Sequence, residues 1–224
     1  MFFIEKTIRK VCLKLSIKRV FRLINDTSIE SIDIHIEENS RASYKEKQNN
    51  VRVLHSKFNE IYKNEQVLEI STKSPIEIGR ELSAFNLKYN INNKEYPLEC
   101  VFQSSKVFEK GGPNIDLLEV EPFQVKRDRR LRNSGNLIGF TLDNVNYPLE
   151  PKTLFYDWIY INALSKKPNL YKKIINYNAF TDIEFKPERA INCQAKSVAL
   201  FVVLYKQGLL NEALSNIELF KKYV

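Results

Sequence analysis

In the first stretch, Glu5 to Arg22, the residues Ile8, Val11 and Leu15 continue an apolar stripe begun at Ile4, among Lys6, Arg9, Lys10, Lys14, Lys18, Arg19 and Arg22. That spacing predicts an amphipathic helix with a basic face, suited to a membrane surface, a phosphate backbone or the body of its own domain. Lysine and arginine break every apolar run there, so it does not read as a signal peptide. Residues 31–37 alternate with period two and predict a strand, with Ile32, Ile34 and Ile36 inward and His35 outward. The polar run to Asn50 reads as loop. After it, Val53, Leu54, Phe58, Ile61 and Tyr62 form a helical face opposite Lys57, Asn59 and Lys63, with His55 a structural residue of that helix. A break at Lys73 to Pro75 precedes a short helical turn.

Tyr89 to Tyr96 predicts two short strands around an Asn-Asn turn, and Pro97 then opens a helix that runs to Gly111-Gly112-Pro113. Its buried stripe is Leu98, Val101, Phe102, Ser105 and Phe108, while Glu99, Gln103, Lys106 and Lys110 share another face. Phe140 to Glu150 echoes Tyr89 to Glu99, both ending Tyr-Pro-Leu-Glu, and leads into an aromatic helix with Phe155, Tyr156, Trp158, Ile159 and Tyr160. Beyond it the pattern predicts a helix over Asn169–Tyr177 and a turn into a short strand over Thr181–Phe185. A buried helix over Asn192–Lys206 and one amphipathic helix over Asn211–Tyr223 complete the chain. The fold class is α+β, mainly helical, with a few short strands.

Composition narrows the chemistry. With 224 residues, 43% hydrophobic and 12% aromatic, the chain can fill a core, which excludes intrinsic disorder as its main state. No uncharged apolar run approaches a membrane span, so a soluble protein is expected. Cys12, Cys100 and Cys193 form no C-x-x-C pair, and His35 and His55 are the only histidines. These favour a reducing, cytoplasmic setting and leave few parts for a metal site or a histidine-activated nucleophile. No metal or cofactor is expected, and any chemistry must run on carboxylates and lysines. The net charge of +8 favours polyanions, nucleic acid among them, although a solubilising lysine-rich surface explains it equally well. Lys126, Arg127, Arg129, Arg130 and Arg132 are the best local candidates for DNA phosphate contacts. Neither a G-x-G-x-x-G nor a Walker loop is present, so a diphosphate would be held by side chains and helix ends.

Leu82-Ser83-Ala84-Phe85, the turn ahead of Glu95-Tyr96-Pro97, and Glu99-Cys100-Val101-Phe102-Gln103-Ser104-Ser105-Lys106 carry a family likeness. They resemble the NADAR signature, in which a Leu-Ser-Asn-Phe element precedes a Glu-His-x-x-Gln-x-x-Lys helix. The likeness is closer still to the branch encoded beside DNA-targeting ADP-ribosyltransferase toxins, through Phe102 to Leu118, Pro148 to Trp158 and Phe180 to Leu200. It implies a single domain over residues 29–224 and leaves residues 1–28 as a basic amphipathic segment of unassigned role. It also implies a glycohydrolase that takes ADP-ribose off guanine bases, an antitoxin that repairs ADP-ribosylated DNA and releases ADP-ribose, with a cognate toxin as partner. A non-catalytic module that sequesters toxin or DNA, and an N-glycosidase acting on a free nucleotide, are the alternatives. Cys100 stands where the family often has His, and Ala84 where it often has Asn, so a mechanism resting on that histidine does not carry over.

Cleavage of an N-glycosidic bond passes through an oxocarbenium-like ribose, which needs a negative group near C1, a proton for the departing amine and a nucleophile. Glu99, placed in a first helical turn, suits a base or electrostatic partner. Asp182 is the second carboxylate, by resemblance to the family's later Asp. Lys106 has two readings, an amine that attacks an opened ribose to form a Schiff base, or a cation for the diphosphate. By the same resemblance Trp158 would stack on a base or wall the ribose, and Asn192 and Gln194 would hydrogen-bond ribose or diphosphate. Ser83, Phe85 and Gln103 would line the same pocket.

Overall fold

A long antiparallel hairpin, β1 (Leu13–Ile24) and β2 (Ser28–Asn39), begins the part of the chain that the computed structural model describes, residues 13–39 and 42–224. Asn25 and Asp26 turn it at φ 48° and 57°, a left-handed conformation that these two side chains tolerate better than most. From Leu13 onward the expected basic helix is therefore a strand; Ile4, Ile8 and Val11 lie outside the described residues. The physical reason is tertiary: the segment alternates with period two as well as fitting a helical stripe, and twelve-residue pairing with β2 selects the strand, leaving Leu13, Leu15 and Ile17 exposed and Lys18 on the buried face. The division of the chain after residue 28 cuts across this hairpin.

One face of the hairpin buries Val20, Ile34 and Ile36 against Val51, Leu54 and Phe58 of α1 (Tyr44–Ile61). That helix starts earlier than the hydrophobic pattern predicts. Ser43 and Glu46 form a capping box, the Ser43 hydroxyl accepting from the Glu46 N–H and the Glu46 carboxylate accepting from the Ser43 N–H. Of the polar run that reads as loop, Glu38 and Asn39 end β2, the residues from Tyr44 to Asn49 form the outer side of the helix's first turns, and Asn50 is buried.

After α1 come β3 (Val67–Glu69), α2 (Glu77–Glu81), the hairpin β4 (Lys88–Ile91) and β5 (Lys94–Pro97), and α3 (Leu98–Ser104). Gly79 on α2 lies so close to β3 that a Cβ there would come within 2.0 Å of the Glu69 carbonyl oxygen. That approach sets residues 82–85 beside the end of β3. The helix after Pro97 is shorter than predicted. Ser104 and Ser105 hydroxyls donate back to the Val101 carbonyl at 3.0 and 2.8 Å, offering the backbone an exit. Lys106 then lies on β6 (Lys106–Phe108), paired with Phe140 rather than on a helical face with Glu99.

The chain continues through a 3₁₀ turn (Ile115–Glu119), α4 (Pro122–Val125), α5 (Arg130–Asn133), β7 (Leu137–Leu142), β8 (Val145–Tyr147), α6 (Leu154–Ser165) and α7 (Pro168–Ile174). The two Tyr-Pro-Leu-Glu echoes share a geometry. Asn92-Asn93 turns β4 into β5 at φ 51° and 66°, and Asp143-Asn144 turns β7 into β8 at φ 49° and 61°.

Last come β9 (Ala179–Thr181), α8 (Gln194–Lys206), α9 (Leu210–Ala213) and α10 (Ile217–Phe220). The strand near 181 precedes its turn, and the tail folds as two short helices instead of one. The largest sheet has the order β2-β1-β9-β3, with β9 antiparallel to β1 and parallel to β3. The buried α8 covers Phe21 and Leu23, and with α3 and α6 forms the main core, where Phe140 stacks on Phe155 at 4.4 Å. The fold is α+β, and its two 12-residue strands are longer than the short ones the pattern predicts. Among the described residues no helix is long and apolar enough to cross a membrane.

Gly79→Ala is expected to destabilise the protein by about 2–3 kcal/mol through overpacking. Urea unfolding checks this as a lower midpoint at an unchanged slope.

Candidate active site

A cavity of about 530 Å³ opens between α3, β6, residues 83–85 and the β9–α8 connection. Glu99 and Gln103, one helical turn apart on α3, both face it and are almost wholly buried. The Gln103 amide donates to Glu99 Oε1 at 2.7 Å, and Lys126 Nζ lies 3.3 Å from the same oxygen. The Lys126 ammonium also sits 5.0 Å above the Phe85 ring, so this residue spans the cavity wall from Phe85 to Glu99.

Lys106 enters from the adjacent strand, with its ammonium 4.8 Å from the centre of the Phe102 ring. Among the described residues it forms no ion pair, and burial, aided by the like charge of Lys126, holds its pKa below the ordinary lysine value despite an opposing pull from Glu99. Glu99 and Lys106 thus line one cavity without being bonded to each other.

Asp182 follows β9 directly. Its Oδ1 accepts from the Glu184 N–H at 2.9 Å and its Oδ2 from the Gln194 amide at 2.9 Å. Gln194 accepts in turn from the Ala84 N–H at 2.8 Å, tying the Asp182 turn to the segment that carries Ser83 and Phe85. Burial, reinforced by the nearby Glu69 carboxylate, pushes the Asp182 pKa up to about 8. Two buried polar atoms on the cavity wall, Ser83 Oγ and Asn192 Oδ1, have no hydrogen-bond partner among the described residues. Such atoms each cost about 1–3 kcal/mol, and a ligand that fills the cavity can satisfy them.

Glu99, Lys106, Asp182, Ser83, Phe85, Gln103, Asn192 and Gln194 therefore meet at one cavity. Trp158 does not. Two residues beyond Tyr156, which does line it, Trp158 is turned about 200° around α6 and packs edge-on against Phe220 at 5.4 Å. The predicted basic strip divides. Lys126 turns inward to Glu99, and Arg130 is held by both carboxylate oxygens of Asp116 and by Asp128. Arg127, Arg129 and Arg132 remain exposed.

Sequence reasoning missed the apolar wall, to which Phe102, Phe140, Tyr156 and Phe185 contribute, and it missed Glu150 and Lys152 at the same cavity. A signal for Glu150 existed: it ends the second Tyr-Pro-Leu-Glu as Glu99 ends the first. His55 is a neutral structural residue, its Nε2 2.8 Å from Thr181 Oγ1, with burial lowering its pKa to about 4. Among the described residues no three His, Cys, Asp or Glu side chains converge to hold a metal ion.

Comparison with protein families gives a match between residues 17–224 and the DarT1-associated NADAR antitoxin. A search of curated proteins finds no match.

Asp182 carries a pH signature. Its carboxyl ordinarily titrates near 3.8 and here near 8, so between these values the folded protein retains a proton that the unfolded chain has released. Stability contributed by this group is complete below the lower value and is lost as the pH rises through the upper one. Asp182→Asn is expected to flatten that decline, measured as unfolding free energy from pH 4 to pH 8.

Proposed function

Because the chain belongs to the DarT1-associated NADAR antitoxin family, we propose that it is a glycohydrolase that removes ADP-ribose from guanine bases in DNA and so reverses the action of a DNA ADP-ribosyltransferase toxin. The observation that carries this reading is the approach of Glu99 and Lys106 to one cavity without an ion pair between them. The space between an acidic and an aminic group is where the anomeric carbon of a sugar would lie. The cavity falls within the range of about 300–1,000 Å³ typical of ligand pockets. Its aromatic wall suits a base or the ribose face, and Ser83 and Asn192 offer the unsatisfied polar atoms.

In this reading the bond between ribose C1 and the guanine amine breaks with positive charge growing on the sugar. Glu99, oriented by Gln103 and Lys126, faces that charge and takes a proton from the water that attacks C1. Asp182 retains its proton at neutral pH and gives it to the departing guanine amine. The products are unmodified guanine in DNA and ADP-ribose.

The lowered pKa of Lys106 favours a second route to the same products. Its free amine adds to C1 of the opened ribose, guanine leaves with a proton, and water hydrolyses the resulting imine to regenerate the lysine. Exposed Arg127, Arg129 and Arg132 follow Lys126 in the chain and would hold the DNA phosphates on either route.

A guanine-ADP-ribosylated oligonucleotide incubated with substoichiometric protein tests the reading. Release of many equivalents is expected; release that stops at one equivalent would leave only a binding module. Glu99→Gln and Lys106→Ala are each expected to lower the rate about 10²-fold or more, and wild-type rates in both would move the site elsewhere. Charge reversal at Arg127, Arg129 and Arg132 should slow release from the oligonucleotide strongly and from a modified mononucleotide hardly at all.

A further inference from the structure

Lys18 is a lysine at 1% exposure, on the buried sheet face that also carries Val20, Ile34 and Ile36. Removing an ammonium from water is expensive, and an aliphatic side chain there would carry no such penalty. Its Nζ donates to the Ile183 carbonyl at 2.7 Å and pairs with Glu38 at 3.2 Å. The other end of Ile183 is held as firmly. Its N–H donates at 2.8 Å to Glu69, a carboxylate at 1% exposure, which also accepts from the Thr181 hydroxyl at 2.6 Å. Two buried polar side chains from different strands thus grip the residues on both sides of Asp182, and the sequence separation of 165 residues between Lys18 and Ile183 makes this a tertiary rather than a local device.

We propose that Lys18 and Glu69 are positioning residues that fix the Asp182 turn against the cavity, which makes the N-terminal hairpin a working part of the active site. The inference rests on the reading of Asp182 as the acid. Neither residue touches the cavity. Lys18 sets the tilt of the peptide plane after residue 183, Glu69 sets the one before it, and the Asp182 carboxyl is left to swing only as far as Glu184 and Gln194 allow. A displacement of about 1 Å at a reacting group is enough to lower a rate about 10²-fold, so loss of either grip reaches the chemistry without any loss of contact to substrate.

The experiment measures kcat, KM and melting temperature on the modified oligonucleotide for full-length Lys18→Met, Val20→Ala and Asp182→Asn. Lys18→Met, close in volume and uncharged, is expected to lower kcat about tenfold or more, with KM within about twofold and a melting temperature at or above that of the wild type. Val20→Ala, on the same buried face, should melt lower and keep kcat within about twofold. A folded Lys18→Met at the wild-type kcat, or a Val20→Ala that loses as much kcat, overturns the proposal. If Lys18→Met does not fold, Glu69→Gln serves in its place, because it retains an acceptor and removes the titratable carboxyl. The groups that face Asp182 are then Glu184 on its own turn, Cys193 ahead of α8, and Tyr156 and Tyr160 from α6. Loss of the Glu69 carboxyl should lower kcat about tenfold or more and move the alkaline limb of the kcat profile to lower pH, and a wild-type kcat with an unmoved limb contradicts the proposal. Asp182→Asn at the wild-type rate removes the catalytic reading and the clamp together; a slow Asp182→Asn beside a fast Lys18→Met removes the clamp alone.

Discussion

A carboxylate taken out of water must be given hydrogen bonds or a proton, and this chain buries Glu69, Glu99, Asp157 and Asp182. How each is satisfied decides what it can do. Glu69 accepts from Thr181, Ser71 and the Ile183 N–H, so its oxygens are consumed in holding the chain. Asp157 accepts from Ser197 and lies 3.5 Å from Lys196, which joins α6 to α8. Glu99 and Asp182 differ from these two in facing a cavity, and each keeps part of its capacity for something that enters it.

The arrangement around them follows from short elements stopped early. Because α3 ends at Ser104, Lys106 falls on a strand and approaches the cavity from beside Glu99 rather than from about two turns further along the same helix. The close approach of Gly79 to β3 sets residues 83–85 near the end of that strand, and Gln194 bonds that segment to Asp182 across the gap. Helix ends, a glycine contact and one amide bridge thereby assemble groups spread over more than ninety residues of sequence.

Much of this was legible in the letters. Residues 31–37 alternate and form a strand, the Asn-Asn turn makes its hairpin, and the buried pattern of Ala195 to Leu204 makes a helix. The Glu-x-x-x-Gln spacing put Glu99 and Gln103 on one face. What failed had local alternatives of comparable strength. The segment from Leu13 fits both periods, and only its partner strand, a tertiary fact, chooses between them. Helix α1 begins before its hydrophobic pattern because its first turns are polar, although Ser43-x-x-Glu46 marks their start. Trp158 drew attention as a lone large aromatic, but helical phase, not residue type, decides which aromatics of α6 reach the cavity. Charge density likewise does not report availability: Arg130 reads as a free cation in sequence and is committed to two aspartates in space.

The central claim is that an acidic and an aminic side chain converge on one sugar carbon. A crystal structure of the protein with ADP-ribose bound tests it most directly. The account predicts ribose C1 lying between the Glu99 carboxylate and Lys106 Nζ, within about 3–4 Å of at least one of them, with Asp182 on the same ring face or edge. ADP-ribose seated elsewhere, or seated in the cavity with C1 turned away from both groups, would contradict it.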